Sequence, residues 1–223
     1  TIKIITLKDK EGLDALRHSL AHLMAAAVME LWPSTKRTIG PPIENGFYYD
    51  FEFEKPISEE DLQKIEQKMR EILPKWDRFE RHELTASEAK KEYPNNPYKH
   101  ELIEEFSSGG KKVSFYKSGD YWDLCKGNHL PTMKTIKPDS FKLSHIAGAY
   151  WRGSEKNPML TRIYGVAFDN KNGLEEYLKK QEEARRCDHR IIGEKLELFM
   201  IDDDIGKGLP LYLPNGYKIR KKL

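Results

Sequence analysis

The segment Leu16-Arg-His-Ser-Leu-Ala-His-Leu-Met24 lies in a stretch, residues 13–32, whose apolar side chains recur at helical spacing until Pro33. One face of this predicted helix carries Leu16, Leu20, Leu23, Ala27 and Leu31. An almost opposite stripe carries His18, His22, Ala25 and Met29. A helix that is apolar on two sides is buried on both. The pattern therefore predicts a central helix whose two histidines face a cavity or a second layer.

The segments around this helix mix helical and strand patterns. Aromatic and polar residues alternate over residues 47–54, which predicts a half-buried strand with Tyr49 on its inner face. We also expect a short strand at residues 1–7, a helix capped by Ser58 that ends at Pro74, and a helix begun by the Thr85/Glu88 capping box. Further predicted elements are a helix from Pro97, strands at 113–117, 121–125, 141–146 and 160–168, and a charged helix at 174–188.

Helices interspersed with antiparallel hairpins predict an α+β fold, with an antiparallel sheet packed around and against helices. The charged helix at 174–188 is interpreted as a helical connector at the C-terminal end of the fold. The tail after residue 190 has apolar segments but too few to form a core of its own, so we expect it to begin another domain.

Composition excludes several classes of protein. The chain has 223 residues, and its 38 Lys+Arg and 36 Asp+Glu leave a formal charge of only +2. A contact with nucleic acid must therefore come from local patches, because there is no polybasic tail. Two cysteines, Cys125 and Cys187, provide no disulfide framework and favour a reducing compartment. No apolar run approaches the roughly 20 residues that span a bilayer, so we expect a cytoplasmic protein without a membrane partner.

A second pair of reactive side chains repeats the spacing of His18 and His22. Cys125 and His129 are also four residues apart, in Asp123-Leu-Cys-Lys-Gly-Asn-His129. Imidazoles at i and i+4 of a helix lie on one side of it and can share a ligand or a water. Each pair alone is also compatible with structural core or loop residues. Because these side chains bind metals, activate water and transfer protons, we interpret the two pairs as parts of one site.

Three other features are weaker candidates for function. Lys99 falls at the edge of the apolar stripe of its predicted helix, where a long side chain can reach into a cleft. Tyr49 can be a core residue or a substrate contact. The cluster Gly148-Ala-Tyr-Trp-Arg-Gly153 can stack on a base or pack internally, and composition leaves both possibilities open.

The motifs, taken together, resemble bacterial-type threonyl-tRNA synthetases. The resemblance rests on the two segments already quoted and on Ile39-Gly-Pro-Pro-Ile-Glu-Asn-Gly-Phe-Tyr-Tyr-Asp50, Gly148-Ala-Tyr-Trp-Arg-Gly153 and Arg162-Ile-Tyr-Gly165. They occur in the order and at the spacing of that family over residues 1–200. Editing domains of alanyl-tRNA synthetases and their freestanding relatives share the paired histidine and cysteine spacings, but are not expected to carry Gly-Phe-Tyr-Tyr-Asp.

The resemblance implies a division of the chain into parts. Residues 1–10 would be the junction from a ubiquitin-like domain that is missing, residues 11–168 the editing domain, and residues 169–190 the helical connector. Residues 191–223 would start a truncated class II aminoacylation domain. We therefore expect no ligation of threonine to tRNA from this fragment. The implied reaction is hydrolysis of the ester that joins a mistaken serine to the tRNA for threonine, and the full-length protein is expected to be a homodimer.

The resemblance also implies roles for individual residues. His18 is expected to help activate the attacking water, and Lys99 to stabilise the oxyanion or hold the terminal ribose. Asp123 would orient the amino group of the substrate, and Tyr49 would contact the terminal adenosine or its phosphate. His22, Cys125 and His129 complete the expected catalytic set. One departure from the family is Asn128, which stands where a proline is common.

The resemblance implies no cofactor for editing, with ATP and zinc confined to the missing aminoacylation core. Zinc at His18, His22, Cys125 and His129 remains possible but is not favoured, because four protein ligands leave no open position for water and Lys99 would bring a second positive charge. The alternatives are a freestanding or alanyl-type zinc-dependent deacylase and a non-catalytic zinc-binding module.

Overall fold

The computed structural model of the chain describes residues 4–202 and 204–223. Two compact units are present, residues 1–174 and residues 175–223. The described helices are α1 Lys10–Leu31, α2 Asp61–Ile72, α3 Ala86–Lys91, α4 Pro97–Phe106, α5 Lys171–Arg186, α6 His189–Lys195 and α7 Pro214–Arg220. The described strands are β1 Lys36–Arg37, β2 Pro42–Ile43, β3 Gly46–Glu52, β4 Glu80–Leu84, β5 Val113–Ser118, β6 Tyr121–Leu124, β7 Phe141–Tyr150, β8 Met159–Ala167, β9 Phe199–Ile201 and β10 Pro210–Tyr212.

All three sheets are antiparallel, so the predicted α+β class is confirmed. The division of the chain into a junction, an editing domain, a connector and a truncated class II domain stays a prediction.

The central helix α1 forms as the sequence predicts but begins earlier, at Lys10. Gly12, expected to precede the helix, lies within its first turn. A Cβ atom on Gly12 would meet the carbonyl oxygen of Thr6 at 2.0 Å, so only glycine allows the preceding loop to lie against this turn. The predicted strand at residues 1–7 is wrong over residues 4–7, because a turn forms there in which the Asp9 carboxylate accepts a 2.8 Å bond from the Thr6 N–H. Residues 1–3 of that prediction lie outside the described residues.

Helix α1 packs on a five-stranded sheet in the order β1-β3-β8-β7, with β2 also paired to β3. The apolar face predicted for residues 47–54 is observed in β3, where Phe47, Tyr49 and Phe51 are all buried in the main core. The predicted polar face is only partly observed, because Asp50 is also buried, in an ion pair with Arg162. The sheet thus holds Tyr49 beneath the histidine-bearing helix. Strand β2, only two residues long, was not predicted from the sequence.

A second, three-stranded sheet, in the order β4-β5-β6, carries Asp123. Strand β4 was not expected, since its sequence Glu-Arg-His-Glu-Leu is almost entirely polar and mostly exposed. Backbone pairing with β5, from Glu80 with Lys117 to Leu84 with Val113, forms this strand without any apolar alternation. Helices α3 and α4 pack with this sheet in a second hydrophobic cluster around Tyr98, Ile103 and Phe115.

One of the two predicted helix caps forms, namely the Thr85/Glu88 capping box at α3. Helix α4 begins at Pro97 as expected, and the Asn96 side chain accepts a bond from the Lys99 N–H at its start. The expected Ser58 cap is wrong, because α2 begins only at Asp61. The Asp61 carboxylate instead accepts a 3.0 Å bond from the Ser58 N–H.

The second unit, residues 175–223, contains most of α5, the helices α6 and α7, and a two-stranded hairpin of β9 and β10. Several of its large apolar side chains are exposed, including Ile191, Ile205 and Tyr217. Among the described residues of the whole chain, no helix combines the length and apolar character needed to cross a bilayer.

Candidate active site

The four side chains of the predicted pairs come together. One donor atom from each of His18, His22, Cys125 and His129 lies within 4.8 Å of all the others. The Cys125 Sγ is 3.3 Å from the Nε2 atoms of both His18 and His129. The rings of His18 and His129 stack at 4.3 Å between centroids. Two segments more than 100 residues apart therefore form one cluster, as the repeated spacing predicts.

This cluster borders a cleft of about 410 Å³. The cleft is lined by His18, His22, Tyr49, Lys99 and Cys125, by the loop Ile39–Pro42, and by Phe106, Leu124 and Lys126–Asn128 among others. His129 and Asp123, by contrast, are not lining residues. His129 is held behind the others, where its Nδ1 atom lies 3.3 Å from Ser19 Oγ and its ring stacks on Phe79 at 3.9 Å. Five of the seven predicted site residues thus face the cleft directly.

Burial keeps the histidines neutral. Desolvation lowers the pKa of His18 below its usual 6.5, although backbone groups of Asn128 and Gly127 partly oppose this through hydrogen bonds. Desolvation and the neighbouring His18 lower the pKa of His22 further. The pKa of His129 is also lowered, first by desolvation and then by both other histidines. Neutral imidazoles at pH 7 have a free lone pair, which is what a proton acceptor needs.

Cys125 lies at the end of β6 and is a poor nucleophile in this setting. Burial raises the pKa of its thiol to about 12. The thiolate is the reactive form of cysteine, so a thiol this weakly acidic is protonated at neutral pH. Its contacts with His18, His129 and the Gly127 N–H make it a packing and positioning group.

Asp123 is fully buried beside the cleft and serves as a common acceptor. Its oxygens accept bonds from the hydroxyls of Tyr49 and Tyr93, both at 2.6 Å, and of Tyr121 at 2.9 Å. Lys99 Nζ lies 2.7 Å from Oδ1 and Arg37 Nε lies 3.1 Å from the same atom. Burial would raise the pKa of Asp123, but Lys99 and Arg37 hold it well below its usual range.

Lys99 lies much deeper than its helical position suggested. Its residue is only 1% exposed, although its side chain reaches the cleft as expected. A helical wheel gives the direction of a side chain but not the elements that later cover it. Here Asp123 and the 3.3 Å contact with the Tyr49 hydroxyl hold the ammonium group in the interior. Burial lowers the pKa of Lys99, and Asp123 opposes that effect.

Three residues of this network were not identified from the sequence: Arg37, Tyr93 and Tyr121. A signal existed for Tyr121, which is two residues before Asp123 on β6 and therefore on the same face of the strand. Arg37 lies two residues before the segment Ile39–Asp50, and Tyr93 lies between two predicted helices, but neither position indicates a contact with Asp123. Only the folded structure brings them to Asp123.

Asn128, the departure from the family pattern, has a φ of 66°. This left-handed conformation is tolerated by asparagine but closed to proline, whose ring fixes φ near −65°. The loop that leads to His129 therefore has a backbone that the common proline could not adopt. Asn128 itself lines the cleft, so the substitution changes the shape of its wall.

The donor set also fits a zinc ion. His22 Nδ1 is buried without a hydrogen-bond partner, and three imidazoles with one thiolate suit tetrahedral zinc. The ion would be held by His18, His22, Cys125 and His129. With all four ligands bound the site would be closed and structural, whereas on exchange of one ligand the metal would act as a Lewis acid. The geometry alone is compatible with this alternative.

Of the two possibilities for the aromatic cluster at 148–153, the structure shows internal packing for Trp151. Its side chain is buried in the second hydrophobic cluster, and its indole N–H donates a 2.8 Å bond to Glu101. The ring of Tyr98 contacts it at 5.2 Å.

Comparison with known proteins assigns this arrangement to a class. Residues 113–164 match the family described as the second additional domain of threonyl and alanyl tRNA synthetases. This match includes Asp123, Cys125 and His129. The chain therefore contains an accessory domain of the aminoacyl-tRNA synthetase class.

Comparison with individual proteins indicates which family of synthetases the chain resembles. The chain is 50% identical over 220 residues to a threonine–tRNA ligase of Rubrobacter xylanophilus, covering 98% of the chain and 34% of the relative. It is 51% identical over 216 residues to that of Borreliella burgdorferi, covering 96% and 37%, and 48% identical over 225 residues to that of Thermotoga petrophila, covering 100% and 34%. The predicted family is confirmed: the chain is homologous to part of threonine–tRNA ligases over nearly its whole length. It spans about a third of the length of these relatives.

Proposed function

We propose that this chain hydrolyses the ester of serine mistakenly attached to the tRNA for threonine. The observation that carries the proposal is that a neutral imidazole, His18, and a buried ammonium, Lys99, line the same cleft. Ester hydrolysis needs these two functions, a proton acceptor for water and a positive group for the developing oxyanion. The homology to threonine–tRNA ligases supports tRNA as the carrier of the ester.

The reaction proceeds by addition and elimination. Water attacks the ester carbonyl as its proton passes to His18, and the former carbonyl oxygen becomes an oxyanion near Lys99. The intermediate collapses when the bond to the ribose oxygen breaks, and His18 returns the proton to that leaving oxygen. The products are free serine and the uncharged tRNA. His22, His129 and Cys125 hold His18 and shape the cavity for water.

Asp123 acts through Lys99 in this proposal. A direct contact with the amino group of the substrate would require access to a carboxylate that is 0% exposed and already accepts bonds from three tyrosines. Its placement therefore supports a positioning role. Tyr49 has a related function, because its ring lines the cleft while its hydroxyl is bound to Asp123.

Selectivity for serine would come from exclusion of the extra methyl group of threonine. A single methylene-sized difference is worth only about 1–3 kcal/mol in a binding site, so a synthetic site alone admits errors. A second pocket too small for threonine removes the wrong product while sparing the right one. The walls that set this size include Gly40, where a Cβ atom would lie 2.2 Å from the Tyr49 ring.

The test is incubation of the protein with pre-formed seryl- and threonyl-tRNA of the threonine type, with the half-life of each ester measured. We expect faster than spontaneous hydrolysis of the seryl ester and a largely intact threonyl ester. His18→Ala should lower the rate by roughly 10²–10⁴-fold. His145→Ala, at an exposed histidine of β7, is the matched control and should retain activity. Equal hydrolysis of both esters, or of neither when tRNA binding is demonstrated, would contradict the proposal.

A further inference from the structure

Arg37 is a cation bound to Asp123 that, unlike Lys99, does not line the cleft. Its side chain is 16% exposed, and its Nε and Nη2 atoms donate to Asp123 Oδ1 at 3.1 Å and to the Trp122 carbonyl oxygen at 2.9 Å. The guanidinium also lies over the rings of Tyr93 and Tyr121, at 5.2 and 5.3 Å from their centroids. A planar group with two directed bonds and two ring contacts is held in one orientation. Arg37 is therefore a rigid part of the wall behind Asp123.

The same residue also contacts the helix that carries Lys99. The backbone oxygen of Arg37 accepts a 2.8 Å bond from the Asn96 side-chain amide. The carbonyl of that amide in turn accepts the Lys99 N–H at 3.1 Å and caps the start of α4. Arg37 therefore influences the position of Lys99 in two ways. Its backbone fixes the turn from which Lys99 extends, and its side chain fixes the carboxylate that the Lys99 ammonium contacts.

We propose that Arg37 is a positioning residue for Lys99 in the deacylation site, holding Asp123 from outside the lining of the cleft. The proposal rests on the proposed function insofar as it concerns catalysis. Asp123 Oδ1 is shared by Lys99 and Arg37, at 2.7 and 3.1 Å, so the position of this atom depends on both cations. Loss of the guanidinium frees Asp123 to shift, and the Lys99 Nζ shifts with it. A displacement of about 1 Å at a catalytic group can lower a rate on the order of 10²-fold.

The variant Arg37→Met removes the side-chain route while it keeps the backbone bond to Asn96 and much of the apolar volume. The matched control is Arg70→Met. Arg70 has the same kinds of partner as Arg37, namely a carboxylate of Glu66, a carbonyl oxygen of Pro138 and the ring of Phe141, but it is outside the lining of the cleft. Both variants are compared in kcat and KM for seryl-tRNA hydrolysis, after circular dichroism has shown that they fold. If Arg37→Met does not fold, it is replaced by Arg37→Lys, which keeps the charge but not the planar guanidinium. The same kcat and KM outcomes then apply.

A double-mutant cycle with Lys99→Met separates positioning from a general effect on the fold. If Arg37 acts through Lys99, Arg37→Met lowers kcat on the order of 10-fold to 100-fold in the wild-type background but less than threefold when Lys99 is already absent. The KM for the tRNA should change by less than threefold, because Arg37 does not line the cleft. Equal losses in both backgrounds, or a kcat of Arg37→Met within twofold of wild type, would overturn the proposal.

An NMR measurement that does not depend on catalysis tests the role of Arg37 separately from the proposed function. The side-chain NMR resonance of Lys99, assigned by its loss in Lys99→Met, should shift in Arg37→Met and stay in place in Arg70→Met. An unmoved resonance in Arg37→Met would overturn the positioning role whatever the activity. Absence of deacylation by the wild-type protein, with tRNA binding demonstrated, would instead overturn the proposed function, and the NMR comparison alone would then decide the role of Arg37.

Discussion

The Lys99 ammonium lies 2.7 Å from an Asp123 carboxylate oxygen, and the two side chains are 2% and 0% exposed. A buried pair of this kind behaves differently from a surface ion pair. Its formation gains little net stability, because both ions lose their hydration, yet removal of one partner leaves the other charge buried with too few counter-charges. The same contact that orients Lys99 in the cleft therefore also makes the fold sensitive to its removal.

Lys99→Ala should destabilise the protein as well as abolish most deacylation. Breaking a buried ion pair costs about 3–5 kcal/mol in general, and Arg37 remains here to compensate Asp123, so we expect about 2–4 kcal/mol of lost free energy of unfolding. Urea denaturation measures it. The control is Lys90→Ala, whose ion pair with Glu104 has the same 2.7 Å distance but lies on the surface. Surface pairs contribute little, so an equally small change in both variants would contradict the prediction.

Some parts of this site could be predicted from the sequence, and others could not. The spacing and residue types of His18, His22, Cys125 and His129, together with the family motifs, predicted that these side chains meet, and they do. The central helix and the alternating strand β3 followed from local periodicity. The depth of Lys99 and the convergence of Arg37 and Tyr93 on Asp123 depend on how distant segments pack, and local patterns hold no information about that. Strand β4 was missed for the same reason, since only its pairing with β5 defines it.

Stability should fall as the pH is lowered through about 6.5. The pKa values of His18, His22 and His129 are lowered in the folded protein, so below pH 6.5 the unfolded chain takes up protons that the folded chain does not. Stability is fully present above this pH and is lost below it, at up to about 1.4 kcal/mol per pH unit for each histidine. Urea denaturation between pH 5 and 8 measures the slope. In the variant His22→Asn, the slope of the free energy of unfolding against pH below 6.5 should lose the contribution of one histidine. An unchanged slope would show that His22 titrates normally.

Cys125 should resist alkylation in the folded protein. Burial raises the pKa of its thiol to about 12, and only 6% of the residue is exposed. Cys187 is exposed and provides an internal reference in the same chain. Iodoacetamide at pH 7.5, followed by peptide mass spectrometry, should modify Cys187 rapidly and Cys125 only after denaturation. Similar rates at both residues under native conditions would show that Cys125 is a reactive thiolate.

Zinc should not be required for the deacylation proposed here, although His18, His22, Cys125 and His129 are close enough to bind it. A zinc ion held by all four side chains would be closed, and metal-assisted hydrolysis needs an open position for water. Lys99 brings a positive charge to the same cleft, and Coulomb repulsion disfavours a second cation there.

We therefore expect protein purified without chelators to contain well under one zinc per chain by elemental analysis, and its seryl-tRNA hydrolysis to survive treatment with a chelator. A Cys125→Ser variant supplies the comparison, because it removes the thiolate ligand while it keeps the size of the side chain. One zinc per chain in the wild type, absent from Cys125→Ser and lost together with activity on chelation, would establish the zinc-dependent alternative in place of the metal-free mechanism.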